Sequence, residues 1–367
     1  MNGYGVRIHA PPGTSGRTGD GGPPEDEGDP PRDDGGRPAG GRDGTALAVE
    51  APPKSRLDEA IAVRVTGATP GEQVTLAATL VDDDGVTWTA SAVFEADEAG
   101  TVDPTAVAPQ RGDWAGVAPM GWCWAMTSEA DAATASLGAR PTVDVTFEAT
   151  TADGAATTRT VTRQVYDEGL AAHDFDAETG PEGLVGTWYE PPGEGPHPGV
   201  VSLHGGAGRR GPDRTERLLA SRGYATLALS YVGEADALPD RLARVDVTAV
   251  AAAVAWFRDR TGVADGPVGL LGVSRGGELA LEVGTRSDDV GAVVAYAGSG
   301  VRFDTPAGVP AWVDGDGEPL PHLSGAGEPE RTPGGEVVSR PVLERGYERA
   351  SAAERRAATI PVERIDG

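Results

Sequence analysis

Ser274 stands in the pentapeptide Gly272-Val273-Ser274-Arg275-Gly276, after the apolar run GPVGLLGVS and before the helix-like GGELALEVGTR. A serine at a strand-to-helix elbow is held on a sharp turn with its hydroxyl clear of the sheet, as a nucleophile attacking a carbonyl carbon must be. Glycines two residues to either side remove Cβ atoms that would strike the neighbouring strand or helix. The first amides of the following helix favour developing negative charge at the same spot. The bland alternative is a tight strand-helix turn in which the serine only caps the helix.

A second stretch, SLHGGAGRRG (residues 202–211), follows an earlier buried run, where a loop donating oxyanion amides is expected. The backbone amides of Gly206, Ala207 and Arg275 are the candidate donors. The same loop fits a dinucleotide fingerprint, Gly206-x-Gly208-x-x-Gly211, with Glu234 as its ribose ligand. That rival is disfavoured because the fingerprint usually opens its domain and requires no serine elbow downstream.

The histidines are His9, His173, His197, His204 and His322, and only the last follows Ser274. His322 lies in a proline- and glycine-rich stretch and reads as a surface residue, whereas His204 reads as a shaper of the oxyanion loop. Asp304, Asp314 and Asp316 are acids near His322, and nothing in the sequence distinguishes them. Arg209, Arg210 and Arg214 are candidate phosphate contacts, with a solvated surface role as the commoner alternative.

The elements that must position these residues fall into three stretches. Residues 1–44 are almost wholly Gly, Pro, Asp and Arg and read as a disordered acidic tail. Residues 45–166 carry short alternating runs separated by turns, such as QVTLAATLVDDDG and TVDVTFEATTADG, and predict an all-β sandwich. Within them RGDWAGVAPMGWCWAM (residues 111–126) crowds Trp114, Trp122 and Trp124 together and reads as a core or contact plug, with Cys123 as a small buried side chain. Residues 167–367 alternate apolar runs with helical patterns, GLVGTWYEP reading as an edge strand and RLARVDVTAVAAAVAWFRDRTG as one long helix, which predicts an α/β fold with a parallel, doubly wound sheet. After about Ser299 the pattern gives excursion loops and one short helix, VLERGYERASAAERRAAT.

Composition narrows the classes further. A formal net charge of -26, with Lys54 as the only lysine, argues against nucleic acid and anionic membranes as partners and fits a solvated acidic coat suited to high salt. The single Cys123 rules out an internal disulfide or a cysteine zinc cluster, so no metal is expected. No apolar run is long enough to span a bilayer and no signal core opens the chain, which predicts a cytoplasmic protein.

The elbow GLLGVSRGGELAL, the stretch HPGVVSLHGGAG, LLASRGYATLALSY, the plug GVAPMGWCWAM and IPVERI near residue 361 together resemble the acyl-CoA thioesterases related to bile acid-CoA:amino acid N-acyltransferase. The resemblance implies an immunoglobulin-like sandwich packed on an α/β-hydrolase domain through the plug, and hydrolysis of acyl-CoA thioesters. Coenzyme A would then arrive as part of the substrate, with no bound cofactor. In the N-acyltransferase branch the elbow nucleophile is a cysteine, so Ser274 favours hydrolysis over acyl transfer. The family order of serine, acid, histidine implies that the last two lie beyond Gly367, making this a truncated chain, an inactive remnant as the second reading, and that one edge of the parallel sheet is left uncovered.

Overall fold

The computed structural model describes residues 46–128, 130, 134–176, 178–181, 183–209, 213–233, 238–325, 330–331, 337–338 and 340–365. The tail expected over residues 1–44, together with Arg210, Gly211 and Glu234, lies outside the described residues.

The first unit is all-β. Its strands are β1 (Ala48–Glu50), β2 (Lys54–Arg56), β3 (Arg64–Thr66), β4 (Gln73–Val81), β5 (Thr87–Glu95), β6 (Arg111–Gly112), β7 (Thr127–Ser128), β8 (Thr142–Thr151) and β9 (Ala156–Gln164), with a single-turn helix α1 (Gly121–Trp124). Seven of them form one sheet, ordered β2-β9-β8-β4-β5-β6 with β7 also on β5. Strict alternation in β4 sends Val74, Leu76, Ala78 and Leu80 to one face, where they meet Phe94, Phe147 and the β1–β3 ladder residues Val49 and Val65. The layer opposite the large sheet is thus a two-stranded ladder with irregular segments and α1, rather than a second multi-stranded sheet.

The Trp-rich stretch corrects one expectation, that for Cys123. Trp114 and Trp122 are buried in this β core, Trp122 edge-on to Phe147 with ring centroids 4.9 Å apart. One turn of helix sends the next side chains outward, so Cys123 is exposed and Trp124 is 64% exposed. Ion pairs join Arg222 to Asp58 and Glu59 and Arg56 to Asp167 across the two units, and Arg217 donates to the Gly138 carbonyl while stacking on Tyr166.

The second unit contains β10 (Ala171–Phe175), β11 (Val185–Glu190), β12 (Gly199–Leu203), β13 (Ala225–Ser230), β14 (Val245–Asp246), β15 (Val268–Val273), β16 (Val290–Tyr296) and β17 (Trp312–Val313). Its helices are α2 (Arg214–Ala220), α3 (Val247–Arg258), α4 (Arg275–Gly284), α5 (Arg340–Arg349) and α6 (Ala352–Ala358). The sheet runs β10-β11-β13-β12-β15-β16: the first two strands are antiparallel to their neighbours and the remainder are parallel. Crossover helices α2, α3 and α4 join the parallel strands, giving the α/β architecture read from the sequence. The central strand β13 is buried at every residue, as a sheet covered on both faces demands. At the β16 edge, by contrast, Val294 and Tyr296 are 58% and 62% exposed.

Three boundaries differ from the sequence reading. β10 lies outside β11, so GLVGTWYEP is the second strand rather than the edge. The helix predicted from Arg241 starts only at Val247, because Arg244 takes a positive φ of 52°, β14 pairs with β17, and the Asp246 side chain then caps α3. The stretch from Val342 to Thr359 breaks into two helices where Ser351 and Glu354 form a reciprocal capping box.

Candidate active site

Ser274 occupies the junction of β15 and α4 at φ 56°, ψ −118°, a backbone conformation rarely open to a residue with a Cβ. Its amide donates to the Tyr296 carbonyl (2.8 Å) and its carbonyl accepts from Gly277 (3.0 Å), so the turn is pinned from both sides. The hydroxyl caps no helix amide and the residue is exposed. The two flanking glycines are required by close backbone approach. A Cβ on Gly272 would come within 2.1 Å of the Gly276 carbonyl oxygen, and one on Gly276 within 2.1 Å of the Leu203 carbonyl oxygen.

The second predicted stretch packs against this elbow. A Cβ on Gly205 would lie 3.7 Å from the Ser274 Cβ, and one on Gly206 would lie 3.2 Å from the Arg275 Cγ. Gly205 to Gly208 form a turn closed by the Gly208 amide on the Gly205 carbonyl (3.2 Å), with Gly206 and Ala207 at its centre. Arg275 is the first residue of α4, so its amide has no acceptor within the helix. The three candidate donors therefore come from two segments in contact beside the serine, an arrangement able to bind an oxyanion.

His204 sets the shape of that loop. Its Nδ1 donates to the Gly205 carbonyl (2.7 Å), its Nε2 accepts from the Tyr231 amide (3.3 Å), and its ring stacks on Tyr231 at 4.0 Å. The Tyr231 hydroxyl donates back to the His204 carbonyl. Both imidazole nitrogens are thus engaged, and burial pushes the pKa down to about 4, keeping the ring neutral.

The remaining sequence candidates are placed as follows. His322 bonds the Leu320 carbonyl through Nδ1, His173 pairs with Glu190 and stacks on Trp188, and His197 bridges to Val263. Asp304 accepts from the Gly325 amide, while Asp314 closes a local turn by accepting from Asp316 and Glu318. Asp316 enters that turn through its amide. Among the described residues, no imidazole or carboxylate hydrogen-bonds the Ser274 hydroxyl. Arg209 pairs with Asp213 (2.9 Å) and donates to Thr187. Arg214 is exposed.

Sequence reasoning missed a polar cluster beneath the elbow. Glu278, 1% exposed and one turn along α4, accepts from Arg275 Nη1 (2.9 Å), Trp312 Nε1 (2.5 Å) and the Phe303 amide (3.4 Å). Burial raises its pKa, while Arg275 and Trp312 oppose that shift. A turn further on, the fully buried Glu282 pairs with Arg302 (2.7 Å) and Arg286 (2.5 Å). Leu242 was missed too, and it packs on the face of Gly206. The only sequence signal was two glutamates four apart on an otherwise apolar helix, which reads equally well as a solvated face.

Comparisons with known proteins show what the chain is similar to. Residues 58–174 match the acyl-CoA thioester hydrolase/BAAT N-terminal region, and residues 245–367 match the BAAT/acyl-CoA thioester hydrolase C-terminal region. Acyl-coenzyme A thioesterase 1 of Rattus norvegicus is 32% identical over 265 residues, covering 69% of this chain and 60% of the relative. Bile acid-CoA:amino acid N-acyltransferase of Mus musculus is 31% identical over 271 residues, covering 70% and 62% respectively. Peroxisomal succinyl-coenzyme A thioesterase of Mus musculus is 33% identical over 258 residues, covering 69% and 60%. The chain thus spans about 60% of the length of these relatives. Among the described residues no helix is long and apolar enough to cross a membrane.

Proposed function

We propose that this chain, which belongs to the acyl-CoA thioester hydrolase/BAAT family, is built to cleave acyl-CoA thioesters through Ser274. The observation that carries the reading is the contact between the strained, outward-facing Ser274 and the Gly205–Gly208 turn. Ser274 Oγ attacks the thioester carbonyl carbon, and the amides of Gly206, Ala207 and Arg275 bind the oxyanion of the tetrahedral intermediate. Collapse breaks the C–S bond and releases coenzyme A as the thiol, which carries off the proton lost from Ser274 Oγ, and leaves an acyl-serine; water then adds to the ester carbonyl, giving the free acid and returning a proton to Ser274 Oγ. His204 keeps the oxyanion turn in shape through its bonds to Gly205 and Tyr231, and we assign it no role as base.

Hydrolysis is preferred to amine acylation because the elbow carries a serine, a poorer match than cysteine to transfer onto an amine. Against the dinucleotide reading, Gly206, the first glycine of its fingerprint, lies against Arg275 and Leu242 beside the serine elbow, and Gly208 lies against the Val232 carbonyl. The division into a β unit over residues 45–166 and a catalytic unit from residue 167, and a cytoplasmic setting suited to the single cysteine, belong to the same proposal.

The test is thioester cleavage followed by release of free thiol from a medium-chain acyl-CoA, alongside labelling by a fluorophosphonate serine probe. Cleavage and labelling that vanish in Ser274→Ala support the reading. Labelling that persists in that variant, or acyl-CoA cleavage unaffected by it, overturns it. Adding glycine or taurine as acceptor separates hydrolysis from transfer.

A further inference from the structure

We propose that Glu278 is a positioning residue for this site, holding the Arg275 guanidinium so that the Arg275 amide and the chain after β16 keep fixed places beside Ser274. The inference rests on the reading of Ser274 as the nucleophile and adds a residue that does not itself touch the reacting atoms.

Arg275 does two jobs at one position. Its backbone amide opens α4 beside Ser274, and its side chain lies against Gly206 and then bonds Glu278, the Phe303 carbonyl (3.0 Å) and the Asp304 carbonyl. Glu278 is the only carboxylate among these partners. The same carboxylate takes the Phe303 amide and the Trp312 indole, residues 25 and 34 positions away in sequence. One buried carboxylate therefore ties together the elbow helix, the residue that flanks the oxyanion turn, and two points of the excursion that follows β16.

A buried ionised group is costly unless fully partnered, and structural stability alone would be served as well by an apolar side chain. What a buried ion pair can supply here is direction. Its two partners have one arrangement of good geometry, and the Arg275 side chain packed on Gly206 transmits that arrangement to the oxyanion turn. Arg302 on Glu282 repeats the attachment one turn lower, so the excursion is tied to α4 at two successive turns.

The experiment compares Ser274 labelling rates in wild type, Glu278→Gln, Arg275→Met and the double variant, each at a temperature where circular dichroism shows it folded. Arg275→Met keeps the backbone amide and most of the packing but removes the guanidinium. Each single variant is expected to slow labelling about 10- to 100-fold, the cost of a small misplacement of catalytic donors. The double variant is expected to be no slower than the slower single, since both act by one route. Trp312→Phe, which keeps the ring and loses one bond to Glu278, is expected to slow labelling less than Glu278→Gln and serves if the latter does not fold. Single variants that label at the wild-type rate while folded overturn the positioning role, as do effects that multiply in the double variant. Wild-type protein that is not labelled, or is labelled elsewhere than Ser274, overturns the nucleophile reading and this inference with it.

Discussion

Two helices of the second unit begin within one residue of a strand's end, and their first turns are built on opposite plans. At α3 the cap is Asp246, in an extended conformation (φ −74°, ψ 113°), and its carboxylate turns back to accept the Thr248 amide at 2.8 Å. At α4 the cap is Ser274, at φ 56°, and its hydroxyl accepts nothing from the helix. The first junction spends its polar side chain on its own backbone. The second leaves the side chain free and the first amides without internal acceptors, and holds a backbone conformation that costs on the order of 1–3 kcal/mol. Strain kept in place by Gly272, Gly276 and the bond from Ser274 to Tyr296 is the physical difference between a side chain spent on its own helix and one left facing outward.

The sharpest way to break the comparison is to truncate the two caps. Ser274→Ala is expected to lower labelling and thioester cleavage by roughly three orders of magnitude or more, leaving only what binding and the oxyanion amides supply. Asp246→Ala is expected to leave both unchanged. A comparable loss in both variants would mean that the α4 junction is special only in backbone conformation.

Next in size is Gly276→Ala. Its new methyl would meet the Leu203 and His204 carbonyl oxygens at 2.1 and 2.4 Å, so strand β12 or the elbow must move. A destabilisation of about 3 kcal/mol or more is expected from urea unfolding, at the upper end of the usual overpacking cost. A variant as stable as wild type would show that the elbow is looser than its geometry implies.

How much of this was legible in the sequence follows from chain distance. The elbow lies within five consecutive residues, and the oxyanion turn follows its own strand, so local spacing announced both. The parallel strands announced themselves as unbroken apolar runs, β13 most plainly. Glu278 was illegible because its partners Phe303 and Trp312 arrive from the excursion beyond β16, and a helical glutamate ordinarily faces water. Cys123 was misread because a single-turn helix has no periodicity from which to tell its inner face. The helix predicted from Arg241 began late because the positive φ of Arg244 and the pairing of β14 with β17 are tertiary features.

His204 gives a pH-dependent contrast between the oxyanion turn and the rest of the fold. The ring titrates near 6.5 when unfolded and at about 4 when folded, so between those values the unfolded chain binds more protons. Stability from this group is therefore intact above pH 6.5 and falls as pH drops toward 4, by up to roughly 3 kcal/mol. Half-buried Glu216 and buried Glu278, whose pKa values are raised by desolvation, act in the opposite direction, which makes the variant difference the useful quantity. His204→Asn keeps a donor for the Gly205 carbonyl and removes the titration. The wild-type minus variant unfolding free energy, from urea midpoints, should decline across this range, and a flat difference would show that the ring is not held neutral by burial.

The smallest effects carry the most direct comparison of the two junctions, because they should have opposite signs. Asp246→Ala removes one acceptor for a helix amide and is expected to destabilise by about 1 kcal/mol. Ser274→Gly relieves a positive φ that glycine adopts without strain, at the cost of extra freedom in the unfolded chain, and is expected to stabilise by up to about 1 kcal/mol while abolishing labelling. Thermal or urea midpoints on the two variants decide it. Two losses would mean that the Ser274 backbone is at ease where it sits, so that its orientation reflects the flanking glycines alone and no stored strain.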